Sequence, residues 1–511
     1  MILLISSWVF ACLVLTFLVK FLYDVWLNPI RIQSSLRAQG VRGPAYRFLY
    51  GNSQDLTNLR NEALRSSTEL SSHQIIARVH PDIHLWTKLY GKNYVSWIGA
   101  RPQLLVTEPK LIKEALCNCN KDEAYQKPEF ESFVKHMFGD GLVTTQGEKW
   151  HRQRKLANHA FHGESLKGTI PAMILSVEIM LERWRQSEVG REIEVYQEFK
   201  LLTSDIISRT AFGSSYLEGQ QIFDMLGKLA LILSRNGYRV RIRALEKFWR
   251  TKDDIESEKL EQGIRDSVLE MIKKREESEV ESCGSDYFGV LLKAYKETDK
   301  TKKITIQDII DECKTFYIAG HETTSSLLTW CMFLLAIHSD WQQKARQEVI
   351  EIFGNQSPTN SDELTRLKIM SMIVNETLRL YPPNTNLIRE VKKGSRLGKL
   401  IAPARMDLFI PPLVMHQDPE IWGEDAHLFK PERFAEGIAK ATKNNITAFV
   451  PFGLGPRNCV GMNFALAETK IALSMILQHY SFTLSPNYVH SPAVVIGLYP
   501  QKGLQINFHA L

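Results

Sequence analysis

Eleven consecutive residues, PFGLGPRNCVG (451–461), hold three glycines, two prolines, one arginine and a single cysteine. Most lone cysteines are small buried hydrophobes with no chemical role. Here the neighbours change the reading. Val460, Phe464, Leu466, Ile471, Leu473, Ile476 and Leu477 give the next segment apolar helical character, which puts Cys459 at a helix N-terminus. Unpaired amides and the positive end of the helix dipole favour a thiolate there. Gly453, Gly455 and Gly461 allow a tight backbone and the close approach of a flat object. Arg457 can pair with an anion beside the sulfur. A thiolate, a planar partner and an anionic rim together describe haem, whose thiolate ligand pushes electron density toward O–O cleavage. A dinucleotide-binding loop is the rival, but Asn458 stands where that fingerprint needs glycine and no strand signal precedes it.

A second constellation, AGHETT (319–324), falls in the middle of a long apolar run. Gly320 is costly inside a helix, and adjacent hydroxyls bond back to carbonyls one turn earlier, so the ladder is expected to loosen or kink. Glu322 and Thr323 then place an acid and a hydroxyl in an apolar cavity, a natural proton relay. The plain alternative is a solvated helix face, which the flanking apolar residues oppose. Two further patterns are weak alone. Glu376 and Arg379 form an i, i+3 pair among apolar residues, so they need further partners to offset desolvation. Trp150 and Arg154 lie one helical turn apart in WHRQRK, which also reads as a basic solvated face.

Phe452-x-x-Gly455-x-Arg457-x-Cys459-x-Gly461 resembles the cysteine-ligand loop of the cytochrome P450 superfamily, and the other three patterns follow the family's order. The resemblance implies haem b with Cys459 as axial ligand to the iron. It makes Thr323 the support for protonation of bound dioxygen and Glu322 the feed for those protons, with His321 at a variable, structural position. Arg433 in FKPERF matches the third member of a structural lock with Glu376 and Arg379. Trp150 and Arg154 resemble the residues that meet the haem propionates. The family's pocket-lining regions fall on Phe316 and Ala319, on Asn384, Thr385, Asn386 and Leu387, and on Ile496, Gly497 and Leu498. DECKTFYIAGHETTSSLLTW and GVRGPAYRFLYGN are similar to the plant clan that includes secologanin synthase and brassinosteroid-inactivating hydroxylases. One departure is APAR (402–405), where Arg405 replaces the usual glycine.

These residues require a large framework. The chain has 511 residues, 44% hydrophobic, with no linker, repeat or low-complexity block after about residue 50. The domain reading is an anchor at 1–22, a hinge at 23–50 and one catalytic domain at 51–511. The first 19 residues carry no charge, close to the roughly 20 that span hydrocarbon. No basic stretch precedes that run, and Trp26, Arg31, Arg37, Arg42 and Arg47 follow it. An uncleaved anchor with the body in the cytosol fits better than a removed signal peptide. On that topology the sequons at Asn355, Asn375 and Asn445 never meet the glycosylation machinery.

Seven cysteines without framework spacing suit a reducing compartment. A net charge of +6 suits anionic membranes or acidic partners and is too mild for nucleic acid. Helical patterns dominate, including a charged helix over 251–278 and a polar loop around ESCGSD. Thr305 and Asp308 form a capping box opening a helix that runs to about His338, roughly 50 Å. Its apolar centre could pass for a second span, but Asp308, Asp311, Glu312, Lys314, His321 and Glu322 favour a buried core helix. Strand signals are short: 94–99, 103–107, 406–410 and 504–508. The fold class is mainly α with a small β portion, a cytochrome P450 fold behind an N-terminal transmembrane helix.

By family analogy the activity is monooxygenation of an apolar substrate, terpenoid or steroid-like, with dioxygen and electrons from NADPH. The sequence carries no flavin or NADPH module, so a separate NADPH–cytochrome P450 reductase is implied, docking on His151, Arg152, Arg154 and Lys155. The location implied is the endoplasmic reticulum membrane, with the bilayer as a further partner. Two alternatives stay open: the same fold as an oxygen-independent peroxide isomerase or dehydratase, and a non-catalytic membrane haem or lipid binder.

Overall fold

A computed structural model describes residues 2–69, 73–117, 124–130, 132–186, 192–240, 250–277, 286–358 and 360–511. Cys119, Cys283 and most of the ESCGSD loop lie outside the described residues. The first helix, Ile2–Leu22, is 21 residues long, about 32 Å at 1.5 Å per residue and so the thickness of a bilayer core. It is the start of the one described helix long and apolar enough to cross a membrane, and its apolar stretch is unburied.

The chain does not turn away at residue 23. A π-turn over Tyr23–Leu27 leads straight into a second helix, Asn28–Ala38. Pro29 is tolerated because it occupies the first turn, where its missing N–H is an orphan anyway. Pro29, Gln33 and Leu36 share one face and are buried. Gln33 also donates to the Pro44 carbonyl at 3.0 Å. The hinge expected over 23–50 is thus helical through Ala38, its second half is docked on the body, and the turns begin at Gln39.

The long helix runs unbroken over Ile306–Ile337. Its cap is the box expected: Asp308 N–H donates to Thr305 Oγ1 at 3.1 Å and Thr305 N–H to Asp308 Oδ2 at 2.8 Å. The charged residues at its start are all buried inside protein. Lys314 Nζ meets Glu261 Oε1 at 2.5 Å, and Tyr287 donates its hydroxyl to Glu312 Oε2 at 2.7 Å. That pairing is what a core helix needs and a lipid-facing one could not find. Gly320 has a steric reason: a Cβ there would come within 2.7 Å of the Ile207 side chain. The helix Val195–Phe212, which carries Ile207, packs directly on the long helix.

The β portion is small. Five strands pair in the order Val95–Ile98, Arg101–Leu105, Asp407–Ile410, Leu387–Val391 and Tyr125–Gln126. Leu104 lies parallel to Leu408, while Arg389 lies antiparallel to Leu408. Gln505–Ala510 is the centre of a separate three-stranded sheet, between Glu192–Glu194 and Tyr480–Leu484. All four strand expectations coincide with strands, and the charged helix is Lys252–Glu277. At the departure noted in APAR, Arg405 takes the glycine conformation, with φ of 64°, and its N–H bonds to the Val391 carbonyl at 2.7 Å.

Candidate active site

The cysteine loop is built by backbone constraint. Gly453 and Gly455 both have left-handed φ, 73° and 74°. A Cβ on Gly455 would stand 2.5 Å from the Leu116 carbonyl oxygen, so only glycine lets the loop lie on the helix Pro109–Cys117. Cys459 N–H closes the loop on the Phe452 carbonyl at 2.9 Å. The helix Met462–His479 follows, capped by Gly461. Cys459 is accessible although protein surrounds it, so its sulfur opens on a space inside the molecule.

Burial pushes the Cys459 thiol up, against the pull of the Gly461 N–H and of Arg154. Burial and the helix N-terminus thus pull the thiol in opposite directions. Arg154 clasps the loop. It donates to the Asn458 carbonyl at 2.5 Å and to Asn458 Oδ1 at 2.8 Å. Arg457 instead stacks over the Trp150 ring, 4.0 Å from its centroid.

Trp150 and Arg154 thus share a helix, Gly147–Phe161, and hold adjacent residues of one loop. Two cations join from elsewhere. Lys127 lies near Arg389 and Arg457, and burial together with those like charges lowers it to about 7. Sequence reasoning missed Lys127 and Arg389. Their signal was slight: Arg389 is a charged residue within a strand-like run, LIREV, whose end the structure buries.

On the long helix every residue from Asp308 to Leu335 is buried except Ala319, Gly320, Glu322 and Thr323. Those four form an accessible patch within the interior, and the long helix packs on Met462–His479 just after Cys459. The hydroxyl back-bonding expected there is present: Thr323 Oγ1 donates to the Ala319 carbonyl at 2.7 Å. Glu322 is held down to about 2, because His321 and Lys200 overcome the upward push of burial.

Glu376 and Arg379 of the expected lock are fully buried, and Arg433 is partly so. Arg379 donates through Nε and Nη2 to the two oxygens of Glu376, at 2.8 and 2.7 Å. Arg379 Nη1 also donates to the carbonyls of His416 and Ala426, and Arg433 Nε lies 3.4 Å from Glu376 Oε1. His416 Nε2, kept neutral by burial at about 3, accepts the Val450 N–H at 3.0 Å. The lock thereby reaches the first turn of the cysteine loop.

The pocket segments converge. Leu498 N–H donates to the Pro383 carbonyl at 2.9 Å, and Trp330 Nε1 donates to the Leu498 carbonyl at 3.0 Å. A Cβ on Gly497 would lie 3.3 Å from the Pro383 carbonyl oxygen and 3.8 Å from the Glu322 backbone carbonyl oxygen, so the chain at Gly497 passes between Pro383 and the main chain of the long helix. Leu498 and Thr385 are buried, Ile496 and Leu387 half-buried, and Asn384 and Asn386 exposed. Phe316 departs from expectation. Its ring stacks on Phe161 at 5.0 Å and meets Tyr287 at 4.4 Å, so it is aromatic core and not pocket wall.

These features fit haem on their own terms: an accessible interior thiol, open space beside Gly461, and clustered cations that suit propionates. A helical fold around such a site defines a haem-thiolate protein. The cytochrome P450 family model matches residues 70–506, and the chain belongs to that family. It is 53% identical over 506 residues to cytochrome P450 CYP749A22 of Panax ginseng, covering 98% of this chain and 96% of that one. It is 43% identical to 11-oxo-beta-amyrin 30-oxidase of Glycyrrhiza uralensis over 95% and 94% of the two chains. Echinocystic acid 23-monooxygenase of Saponaria officinalis is 40% identical, over 98% and 97%. The chain is a cytochrome P450 monooxygenase of a plant clan, using haem b and NADPH supplied through a reductase.

Proposed function

We propose that the protein is a membrane-anchored monooxygenase that hydroxylates a triterpenoid, with Cys459 as the axial ligand of its haem. The observation that carries the reading is the accessible Cys459 sulfur inside the molecule, on a loop held by Arg154 and by the Glu376–Arg379–His416 lock. When bound, the haem supplies activation of dioxygen, with one oxygen atom going to the substrate and the other to water. The chain supplies the rest. The Gly461 N–H donates toward the Cys459 sulfur. Lys127, Arg389 and Arg457 would hold the propionates, and the Trp150 ring supports Arg457 at 4.0 Å. Thr323, whose own hydrogen is committed to Ala319, turns oxygen lone pairs toward the accessible patch, and Glu322 feeds protons beside it. Ala319, Leu387 and Ile496 make apolar walls that exclude water.

The substrate class rests on the relatives named for 11-oxo-beta-amyrin and echinocystic acid. Electrons come from NADPH–cytochrome P450 reductase. Arg152, Lys155, His159, Lys293 and Lys302 line a groove of about 460 Å³, a basic face suited to an acidic partner. Arg154, turned to Asn458, is not part of that face. Residues 1–22 anchor the catalytic domain in the endoplasmic reticulum membrane, facing the cytosol.

The test is a carbon monoxide difference spectrum of reduced microsomes for the native chain and for Cys459→Ser. A strongly red-shifted Soret band, lost in the variant, is expected. Folded native protein without that band would end the reading. Reductase-coupled turnover of 11-oxo-beta-amyrin and echinocystic acid then tests the substrate class, and native turnover that does not weaken with salt, or that Arg152→Glu with Lys155→Glu leaves equal to native, would remove the docking face.

A further inference from the structure

Glu322 is not loose beside Thr323. Its Oε1 takes Lys200 Nζ at 3.0 Å and faces His321 Nε2 at 3.2 Å. The other side of the His321 ring is committed, with Nδ1 2.5 Å from the Tyr317 carbonyl oxygen. A carbonyl only accepts, so Nδ1 carries a hydrogen. That fixes the chemistry at the far nitrogen. A neutral ring protonated at Nδ1 presents a lone pair at Nε2, and a lone pair facing an ionised carboxylate is repelled. The contact is attractive only with one proton between Nε2 and Oε1, on the ring or on the carboxyl.

Lys200 decides which. It comes from the helix Val195–Phe212 and keeps 30% of its side chain exposed, with its ammonium group between Glu322 and the Tyr196 ring, 5.7 Å from the ring centroid. Seated on Oε1, it favours an ionised Glu322 and a proton on His321. Turned outward, it leaves the proton to the carboxyl. Among the described residues Tyr196, which hydrogen-bonds to the Glu322 side chain, and Tyr499 also face the carboxylate, both pushed up by burial and so neutral. His321 itself is 5% exposed, with Phe223 edge-on at 5.0 Å, so its route to water runs through Glu322.

We infer that His321 stores the proton that Glu322 passes toward Thr323, and that Lys200 gates the transfer by joining or leaving the same carboxylate oxygen. His321 touches neither substrate nor haem; it is a positioning residue acting through Glu322. The step balances. The N–H bond at Nε2 breaks, an O–H bond forms at Oε1, no electrons move, and the ring regains its proton from water through Lys200 and Glu322. The inference rests on the monooxygenase reading above.

The test uses the full-length holoenzyme with reductase and 11-oxo-beta-amyrin as probe substrate. His321→Gln keeps an N–H toward Glu322 but holds no labile proton; His321→Phe removes both. In His321→Gln the share of NADPH electrons recovered in product should fall about tenfold. The solvent isotope effect should rise, and the alkaline limb of the native coupling profile should vanish. The carbon monoxide band should be unchanged, which separates the effect from misfolding. Infrared difference spectra give a second readout without turnover. A protonated-carboxyl band assigned through Glu322→Gln should grow at neutral pH in Lys200→Met. Coupling and pH profile equal to native in both His321 variants, with Glu322→Gln impaired, would overturn the store. An unchanged carboxyl band in Lys200→Met would overturn the gate. A native enzyme that consumes no NADPH would instead indict the monooxygenase reading, and the infrared result would still stand.

Discussion

Thr323 donates its only hydroxyl hydrogen to Ala319, so what it offers the cavity is an oxygen. Thr323→Val keeps the shape and removes that oxygen. The expected outcome is a thermal midpoint within a few degrees of native, with product per NADPH cut by about tenfold or more and peroxide raised in compensation. Thr323→Ser should retain most of the coupling; equal coupling in Thr323→Val would show that the Thr323 oxygen takes no part in proton delivery. At the same scale, Arg379→Lys cannot reproduce five planar donors. It leaves Glu376 buried and underpaired, at a cost of about 3–5 kcal/mol, and the carbon monoxide band should be lost with the fold. The cysteine loop was legible from its own spacing, while Glu376, Arg379 and Thr323 were singled out because their short patterns also resemble the family's. Lys200, Lys127 and Arg389 were not, since they reach the site from separate segments that only the fold brings together. Phe316 misled for a related reason: helical phase says nothing about which neighbour will stack on a ring.

Elements were legible where caps and periodicity agree. The long helix starts and stops where Thr305 and His338 say it should. The segment after the anchor was not, because Trp26, Pro29 and scattered arginines look like a linker until Leu36 is seen buried against the body. Arg405 offers a measurement at this scale. A non-glycine residue at φ of 64° holds about 1 kcal/mol of backbone strain. Arg405→Gly relieves it and leaves the Val391 contact intact, so chemical denaturation should show a gain of about 0.5–1 kcal/mol with unchanged activity. Gly455→Ala should do the opposite. A Cβ 2.5 Å from the Leu116 carbonyl, at a left-handed φ of 74°, costs about 3 kcal/mol. The loop must then lift from its support, and haem content should drop before the helices melt.

Across the whole molecule, buried histidines set the response to acid. His73, His416 and His490 are lowered to about 3 and His80 to about 4, in each case first by burial. Three elements meet at one of these clusters. His73 Nδ1 lies 2.9 Å from Tyr381 Oη, His490 Nε2 3.2 Å from the same oxygen, and Tyr488 Oη 2.9 Å from His490 Nδ1. Above the ordinary histidine value of roughly 6.5, both folded and unfolded chains leave these rings neutral, and no stability depends on them. Below it the unfolded chain binds protons that the folded chain refuses until far lower pH. Stability therefore falls as pH drops from about 6.5 toward 4, by up to about 1.4 kcal/mol per group per pH unit. Glu312 runs the other way. Burial raises it to about 8, so its contribution is fullest below an ordinary carboxyl value and declines as pH climbs through 8. The two trends confine maximal stability to near-neutral pH. His490→Gln tests the acid side: it gives up the stacking on Phe333 at 4.7 Å and lowers stability at pH 7. The proton uptake on unfolding between pH 6 and 5 should nevertheless fall by about one, and an uptake equal to native would show that His490 is already charged in the folded protein.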